Sequence, residues 1–168
     1  LKEIDEKFKI FKNTTSIIDL GAAPGSWSQY IIRQYKKSLV LAIDLLDFEH
    51  IDKVNKIVGD FTKSENKEKI KNFFNKKVDV VISDMAVNTT GNKNLDAIVT
   101  GELCIEAMEF AFEMLDKKGK FVSKIFMGSS FNEIVADAKK KFREVNIFKP
   151  LSSRKDSKES FIICKFLR

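Results

Sequence analysis

The sequence of 168 residues contains few of the residues that build metal sites and disulfide frameworks. It has one histidine and two cysteines, Cys104 and Cys164, which lie sixty positions apart. These are too few and too scattered for a usual zinc site, so we expect no metal and two ordinary buried thiols. Free thiols are typical of a reducing compartment, and we therefore expect a cytoplasmic protein.

Long apolar runs are missing as well. No run approaches the roughly 20 residues of a membrane span, and nothing resembles a signal peptide. The chain begins LKEIDEKFK without an initiator methionine, so we expect that an N-terminal segment is missing. With 43% hydrophobic and 32% charged residues, the composition is that of a soluble globular protein. The length fits one domain covering residues 1–168.

The excess of positive charge is confined to one end of the chain. Residues 139–168 hold ten Lys/Arg and three Asp/Glu, whereas residues 1–138 hold twenty basic and twenty-one acidic residues. A neutral body with a basic end favours a polyanionic partner, and nucleic acid is the first candidate. Lysines that merely keep the surface solvated would give the same count, and charge alone leaves both interpretations open.

Short apolar segments alternate with helical patterns along the chain. Seven segments rich in Ile, Val and Phe read as strands: 16–20, 39–44, 55–59, 78–83, 119–126, 144–149 and 160–166. Helical patterns cover roughly 26–36, 65–75, 95–116 and 129–142. In the third helix, apolar residues including Ile98 line one side, and Gly119 lies just beyond its end.

This alternation predicts an α/β protein with a doubly wound, mostly parallel sheet of seven strands and helices on both faces. The last two strands follow one another without a helix, so we expect them to pair antiparallel at one edge. Ligands of such folds bind beyond the carboxyl ends of the strands.

Acidic residues stand at the ends of four of the predicted strands. They are Asp19, Asp44, Asp60 and Asp84. A single acid after a strand is more often a helix cap or a turn former. Four of them at one edge of the sheet favour a ligand site.

The stretch IIDLGAAPGSWSQYII, residues 17–32, connects the first strand to the first predicted helix. Gly21 and Gly25 do not fit the G-x-G-x-x-G of a dinucleotide site, and no Gly-Lys-Ser/Thr follows for a phosphate loop. The loop offers no cation for a phosphate, while Asp44 is placed to accept both hydroxyls of a ribose. A nucleoside without phosphates indicates S-adenosylmethionine, whose positive groups would sit near Asp19 or Asp84. A tight turn that binds nothing remains the alternative.

Six segments in order resemble the FtsJ/RrmJ family of ribosomal RNA 2′-O-ribose methyltransferases. They are DLGAAPGSWSQ, AIDLL, GDF, SDMAVNTTG, VSKIF and KPLSSRKDSKESFIICK, and together they span essentially the whole chain. The resemblance implies a class I, Rossmann-like methyltransferase fold that binds S-adenosylmethionine. It places five residues at the cofactor, with Trp27 forming the wall at the methionine end: Gly25, Trp27, Asp44, Asp60 and Asp84. Gly21, from the glycine bend itself, is the sixth expected cofactor residue.

The same resemblance implies a catalytic set of two lysines, an aspartate and a glutamate. Asp84, Lys124 and Glu159 match three of the four positions. The other lysine of the family would stand one residue before Leu1. A ribose hydroxyl is a weak acid, so a positioned base helps its methylation. We expect Lys124 to be that base; a charged lysine that orients the hydroxyl is the alternative.

Two residues depart from the family pattern. Ser26 stands where glycine is usual and is expected to serve as a helix N-cap, and Val87 stands where proline is usual, near the target ribose. The lysines and arginine around the matching glutamate, Arg154, Lys155 and Lys158, are candidates for RNA phosphate contacts.

The resemblance implies methylation of a uridine in large-subunit ribosomal RNA by a monomer without membrane contact. Transfer RNA or cap ribose methylation is an alternative within the same class, since surface shape sets RNA specificity. A non-catalytic RNA-binding module with this fold is another. A nicotinamide-dependent oxidoreductase is disfavoured because G-x-G-x-x-G is absent.

Overall fold

A seven-stranded sheet forms the centre of the structure, a computed structural model that describes residues 1–85, 91–151 and 159–168, with the backbone alone for Lys93. The strands are β1 (Ser16–Leu20), β2 (Leu39–Asp44), β3 (Val54–Val58), β4 (Val78–Ser83), β5 (Leu115–Phe126), β6 (Phe142–Phe148) and β7 (Glu159–Leu167). The helices are α1 (Lys2–Phe8), α2 (Ser26–Gln34), α3 (Ser64–Phe74), α4 (Lys93–Met114) and α5 (Phe131–Lys141).

The strand order is β3-β2-β1-β4-β5-β7-β6. The first five of these are parallel to one another, whereas β7 is antiparallel to both β5 and β6. The order reverses between β1 and β4, which is where a ligand site is expected in an open α/β sheet. The predicted fold class and the antiparallel pairing of the last two strands are confirmed.

Side chains of the central strands are buried on both faces of the sheet because helices cover each face. In β1, Ile18 and Leu20 join one hydrophobic cluster with residues of α3, α4 and α5. Ile17, which points the other way, joins a second cluster with residues of α1 and α2. Successive residues of a strand point to opposite faces, so an unbroken apolar run is what a doubly covered strand requires.

Three details differ from the sequence-based expectation. The helix α1 has no counterpart among the predicted elements. Strand β5 begins directly after α4, so Gly119 lies buried inside the strand and does not end the helix. A Cβ at this glycine would lie 2.8 Å from the carbonyl oxygen of Asp116 and from Leu115 Cβ. Ile98, expected on the buried side of α4, is exposed.

Within the described ranges, no helix is long and apolar enough to cross a membrane. Over the same residues, no three His, Cys, Asp or Glu side chains gather in a way that would hold a metal ion.

Candidate active site

The bend after β1 depends on a glycine for both its backbone and its packing. Gly21 has a φ of 65°, in the left-handed region, and its N–H donates to the carbonyl oxygen of Ile43 at 2.8 Å. A Cβ at Gly21 would clash with the side chain of Met85. The chain can therefore turn sharply out of β1 and run close to the end of β4.

The second glycine of the bend starts the helix α2. Gly25 is the N-cap residue, with a φ of 111°, and a Cβ there would clash with Ile51. Ser26 is the first residue of the helix and makes no capping hydrogen bond through its side chain. The expectation that Ser26 is the N-cap is therefore wrong, because the preceding glycine takes that position.

A cavity of about 500 Å³ opens at the carboxyl ends of β1, β2 and β4. Its size is within the range of small-molecule sites. It brings together four of the predicted cofactor residues, Gly21, Asp44, Asp60 and Asp84. The remaining lining residues are Ala23, Ile43, Leu45, Leu46, Gly59, Phe61, Met85, Leu103 and Glu106.

Gly25 and Trp27 do not line this cavity. Gly25 is buried beneath Ile51 and Phe48. The indole of Trp27 packs against the ring of Phe161, with centroids 5.7 Å apart, in the cluster on the α2 face of the sheet. The ring of Trp27 thus faces β7, and its assignment to the cofactor stays a prediction.

Asp44 ties the end of β2 to the glycine bend. One carboxylate oxygen accepts the N–H of Ala23 at 2.9 Å, and the other accepts the N–H of Leu46 at 2.9 Å. The carboxylate is only partly buried and lines the cavity. Each oxygen keeps lone-pair capacity that a ligand hydroxyl can use.

Asp60 is held by the residue two positions further along. Its Oδ1 accepts the N–H of Thr62 at 2.8 Å and the Thr62 hydroxyl at 2.7 Å. These hydrogen bonds lower the pKa of Asp60. Its Oδ2 accepts no hydrogen bond from any residue that the structure describes, and the residue lines the cavity, so this oxygen keeps acceptor capacity for a ligand.

Asp19 occupies a different environment from the other three acids. It lies inside β1, is 1% exposed, and accepts a hydrogen bond of 2.7 Å from the hydroxyl of Ser28. Burial raises its pKa to about 7, with Asp84 and Asp44 contributing further and the Ser28 bond opposing. Asp19 therefore lies beneath the cavity and is not one of its lining residues.

Lys124 joins the two other residues of the expected catalytic set. Its Nζ lies 3.1 Å from Asp84 Oδ1 and 3.6 Å from Glu159 Oε2. The lysine side chain is 14% exposed, and each carboxylate is about one third exposed. Burial raises the pKa of Asp84, and Lys124 opposes that shift. Asp84 lines the cavity and also pairs with Lys124, so the cavity and the ion-paired group are contiguous.

Sequence reasoning missed several residues of this site. Met85 follows Asp84 directly, but Leu103 and Glu106 come from α4, where nothing in the sequence marks them as cavity residues. The amino group of Leu1 is partly buried, which lowers its pKa, and lies close enough to Asp84 for that carboxylate to oppose the shift.

Four of the residues singled out in the sequence lie outside the described residues. They are Val87 and the three candidates for RNA contacts, Arg154, Lys155 and Lys158. Their assignments stay predictions.

Comparison with curated proteins finds relatives along the whole chain. It is 67% identical over 168 residues to the ribosomal RNA large subunit methyltransferase E of Pelagibacter ubique, covering 100% of this chain and 83% of the relative. It is 43% identical over 169 residues to the protein of the same name in Rickettsia bellii, covering 97% of this chain and 74% of the relative.

Solved structures show the same fold. A Plasmodium falciparum protein described as a ribosomal RNA methyltransferase superposes with a TM-score of 0.88 at 30% identity, covering 99% of this chain and 93% of that one. Human methyltransferase-like protein 13, solved with S-adenosylhomocysteine, gives a TM-score of 0.66 at 13% identity, covering 94% of this chain and 74% of that one. At that identity the likeness concerns the fold alone.

The sequence profile of the FtsJ-like methyltransferases matches residues 1–167. This match, together with the 67% identity to a curated relative, covers all the segments that carried the resemblance. The chain therefore belongs to the FtsJ-like methyltransferase family, the class of S-adenosylmethionine-dependent enzymes that its motifs predicted.

Proposed function

We propose that this protein transfers the methyl group of S-adenosylmethionine to a ribose 2′-hydroxyl in ribosomal RNA, at a uridine of the large subunit. The observation that carries the proposal is the position of Asp84, which lines the cavity and pairs with Lys124 at 3.1 Å. A cofactor in the cavity would therefore lie next to a lysine that can handle a hydroxyl proton. The names of the Pelagibacter and Rickettsia relatives support the choice of large-subunit ribosomal RNA.

The lining of the cavity fits a positively charged nucleoside better than a nucleotide. Among the residues that the structure describes, four carboxylates line the cavity and no lysine or arginine does. A phosphate would meet only negative charge there, whereas a sulfonium and an amino group would be stabilised. Asp44 and Asp60 offer acceptors for hydroxyl and amino donors, and Leu46, Phe61 and Met85 supply apolar surface.

When bound, S-adenosylmethionine supplies a methyl group that is already activated by its sulfonium, so the protein mainly has to align and deprotonate the acceptor. Lys124 is the group placed for this. As a neutral amine, formed once its ammonium has released a proton to solvent, Lys124 accepts the hydroxyl proton. As an ammonium it orients the hydroxyl oxygen by donating a hydrogen bond. Both roles require that Nζ of Lys124 is held between Asp84 and Glu159.

Those two carboxylates set the position of Lys124 from opposite sides. Asp84 follows β4, and Glu159 opens β7, opposite Phe126 at the end of β5. Lys124 lies two residues before that end, so three adjacent strands bring the three groups to one point. Rigid strands hold such groups more accurately than loops do.

We further propose that the enzyme acts in the cytoplasm, as a monomer, on the assembled large subunit. The described residues of the proposed catalytic set are Asp84, Lys124 and Glu159.

The proposal is tested by incubating the protein and labelled S-adenosylmethionine with large ribosomal subunits from a cell deficient in ribose methylation. We expect one 2′-O-methylated uridine, mapped by nuclease-resistant dinucleotides. Label in transfer RNA or capped RNA alone would contradict the ribosomal assignment. Calorimetry that detects cofactor binding without any transfer would favour the non-catalytic module, and binding of NAD instead would overturn the cofactor assignment.

A further inference from the structure

The loop between β2 and β3, residues 45–53, forms part of the cavity wall. Its first two residues, Leu45 and Leu46, line the cavity, and each is 70% exposed. A second cavity, of about 580 Å³, is lined by residues 46–51 of the same loop and shares Ala23 and Leu46 with the first. The loop thus borders two open spaces, so specific contacts, and not close packing on every side, must fix its position.

Lys56 of β3 provides such a contact from the neighbouring strand. Its Nζ donates to the carbonyl oxygen of Phe48 at 2.6 Å and to Asp47 Oδ1 at 2.6 Å. The same nitrogen lies 5.2 Å from the centroid of the Phe48 ring, within the range of a cation–π interaction. The side chain of Lys56 is 28% exposed, whereas that of Asp47 is 72% exposed. An exposed ion pair contributes little, so the bond to the Phe48 carbonyl is the contact that holds the loop.

Phe48 in turn connects the loop to the glycine bend. Phe48 and Ile51 are buried and lie against Gly25, the N-cap residue of α2. A Cβ at Gly25 would lie 3.8 Å from Phe48 Cδ2 and would clash with Ile51. Two residues before Phe48, the N–H of Leu46 donates to the carboxylate of Asp44. The position of Phe48 therefore sets both the packing under the bend and the place of Leu46 at the cavity.

We propose that Lys56 is a positioning residue for cofactor binding: by holding the Phe48 carbonyl it fixes the β2–β3 loop, and with it Leu45 and Leu46 at the cavity. The inference deepens the proposed function and rests on it, because it takes S-adenosylmethionine to be the ligand of this cavity. In the part of the chain that the structure describes, Lys56 is not a lining residue. It therefore acts through the loop.

The direction of the effect separates positioning from simple electrostatics. Lys56 is a cation near a site proposed for a positively charged cofactor. If its charge alone mattered, removing the lysine would relieve repulsion and tighten binding. If Lys56 fixes the loop, removing it weakens binding, because Leu45 and Leu46 lose their place. The two explanations predict opposite changes in affinity.

The test replaces Lys56 by methionine in the full chain and measures S-adenosylmethionine binding by calorimetry. We expect the affinity to fall about tenfold, the effect of losing one hydrogen bond from a charged group. Amide exchange at Leu46 should accelerate by about fivefold, because the loop opens more often. S-adenosylhomocysteine should lose affinity by the same factor, since the loop is expected to contact the nucleoside that both molecules share. At saturating cofactor, kcat should stay close to wild type, because the group at Lys124 is untouched.

Three further variants isolate the contact with Phe48. K56R keeps a cationic donor and should restore both the affinity and the exchange rate of Leu46. D47A removes the exposed ion pair and leaves the bond to the Phe48 carbonyl, so it should bind like wild type. K53M removes an exposed lysine of the same loop, and thus the same charge, and should bind at least as tightly as wild type.

Wild-type or tighter cofactor binding by the Lys56→Met variant would overturn the proposal, and so would an equal loss of affinity in K53M. A wild-type protein that binds the cofactor and methylates no ribosomal subunit would count against the proposed function instead. The calorimetric comparison then still decides the role of Lys56, since it needs neither RNA nor turnover.

Discussion

Asp84 belongs to two groups of side chains at once. It lines the cavity with Asp44 and Asp60, and it pairs with Lys124 on the side toward Glu159. Burial raises its pKa, and Lys124 opposes that effect. A positive ligand in the cavity would favour the ionised carboxylate in the same way that Lys124 does. We therefore expect the cofactor and Lys124 to influence each other through this one carboxylate.

Lys124 is expected to matter for catalysis and little for folding. Methionine fills a similar volume without the amine, so Lys124→Met should lower the single-turnover rate of methyl transfer by about 100-fold or more. Cofactor affinity by calorimetry should stay close to wild type. K118M removes an exposed lysine from the far end of the same strand and serves as the matched control. A Lys124→Met enzyme that keeps its rate would remove the lysine from the mechanism.

Asp19 should make the stability of the protein depend on pH. Its pKa in the folded protein is raised from 3.8 to about 7, so the folded state holds the proton more tightly than the unfolded state does. Its contribution to stability is complete below about pH 4 and is lost as the pH rises through 7. Asp19→Asn keeps an acceptor for Ser28 and does not titrate.

The variant should therefore gain stability over wild type between pH 4 and 8, on the order of a few kcal/mol. Urea unfolding of both proteins across that range measures the difference, with the exposed Asp52→Asn as the control. A difference that stays constant with pH would mean that Asp19 titrates normally in the fold.

For single residues, the acids of the site could be predicted from the sequence, but the surroundings of each side chain could not. Asp44 ends β2, and Asp60 and Asp84 follow β3 and β4, so the edge at which they meet was predictable from strand order. Whether a side chain enters a cavity or packs beneath it depends on rotation at the strand or helix. That is why Asp19 is occluded and Trp27 faces β7, which no motif in the sequence indicated.

Among the elements, strands were easier to predict than the first helix. Runs such as VDVVIS are buried on both faces, and their apolar continuity marks them clearly. The segment KEIDEKF is short and mostly charged. Its helix is held by residues that lie far away in the sequence: the hydroxyls of Tyr30 and Tyr35 donate to Asp5, and Lys120 and Lys165 donate to the carbonyl oxygens of Lys9 and Phe8. Local propensity is a weak guide when tertiary contacts decide.

Asp44 links two elements, the end of β2 and the bend between β1 and α2. Asp44→Ala removes the acceptor of the Ala23 and Leu46 N–H groups as well as the proposed acceptor of ribose hydroxyls. We expect S-adenosylmethionine affinity to fall by about 2–3 kcal/mol, measured by calorimetry. D47A, three residues further and outside this cavity, should bind like wild type. Equal affinity for Asp44→Ala and wild type would mean that the cofactor site lies elsewhere.

Over the whole molecule, charge separates the catalytic body from the basic end of the chain. The net charge of +6 comes from residues 139–168, because residues 1–138 are nearly balanced. The cavity itself is acidic, which suits a cationic cofactor and repels phosphates. We therefore expect RNA phosphates to bind on a different surface from the cofactor, with the basic end supplying the positive charge.

The last prediction follows from that separation. Arg154, Lys155 and Lys158 precede the catalytic Glu159, so phosphates that they contact would lie near the reacting ribose. Changing all three to glutamate should weaken RNA binding and reduce the magnitude of its salt slope by about two to three, since fewer counterions are released. Cofactor affinity should be unchanged, which separates this effect from unfolding.

The matched control changes three exposed residues at the far end of α2 by the same total charge: Arg33, Lys36 and Lys37. If both triple variants flatten the slope equally, net charge alone drives RNA binding; if neither does, phosphates bind elsewhere.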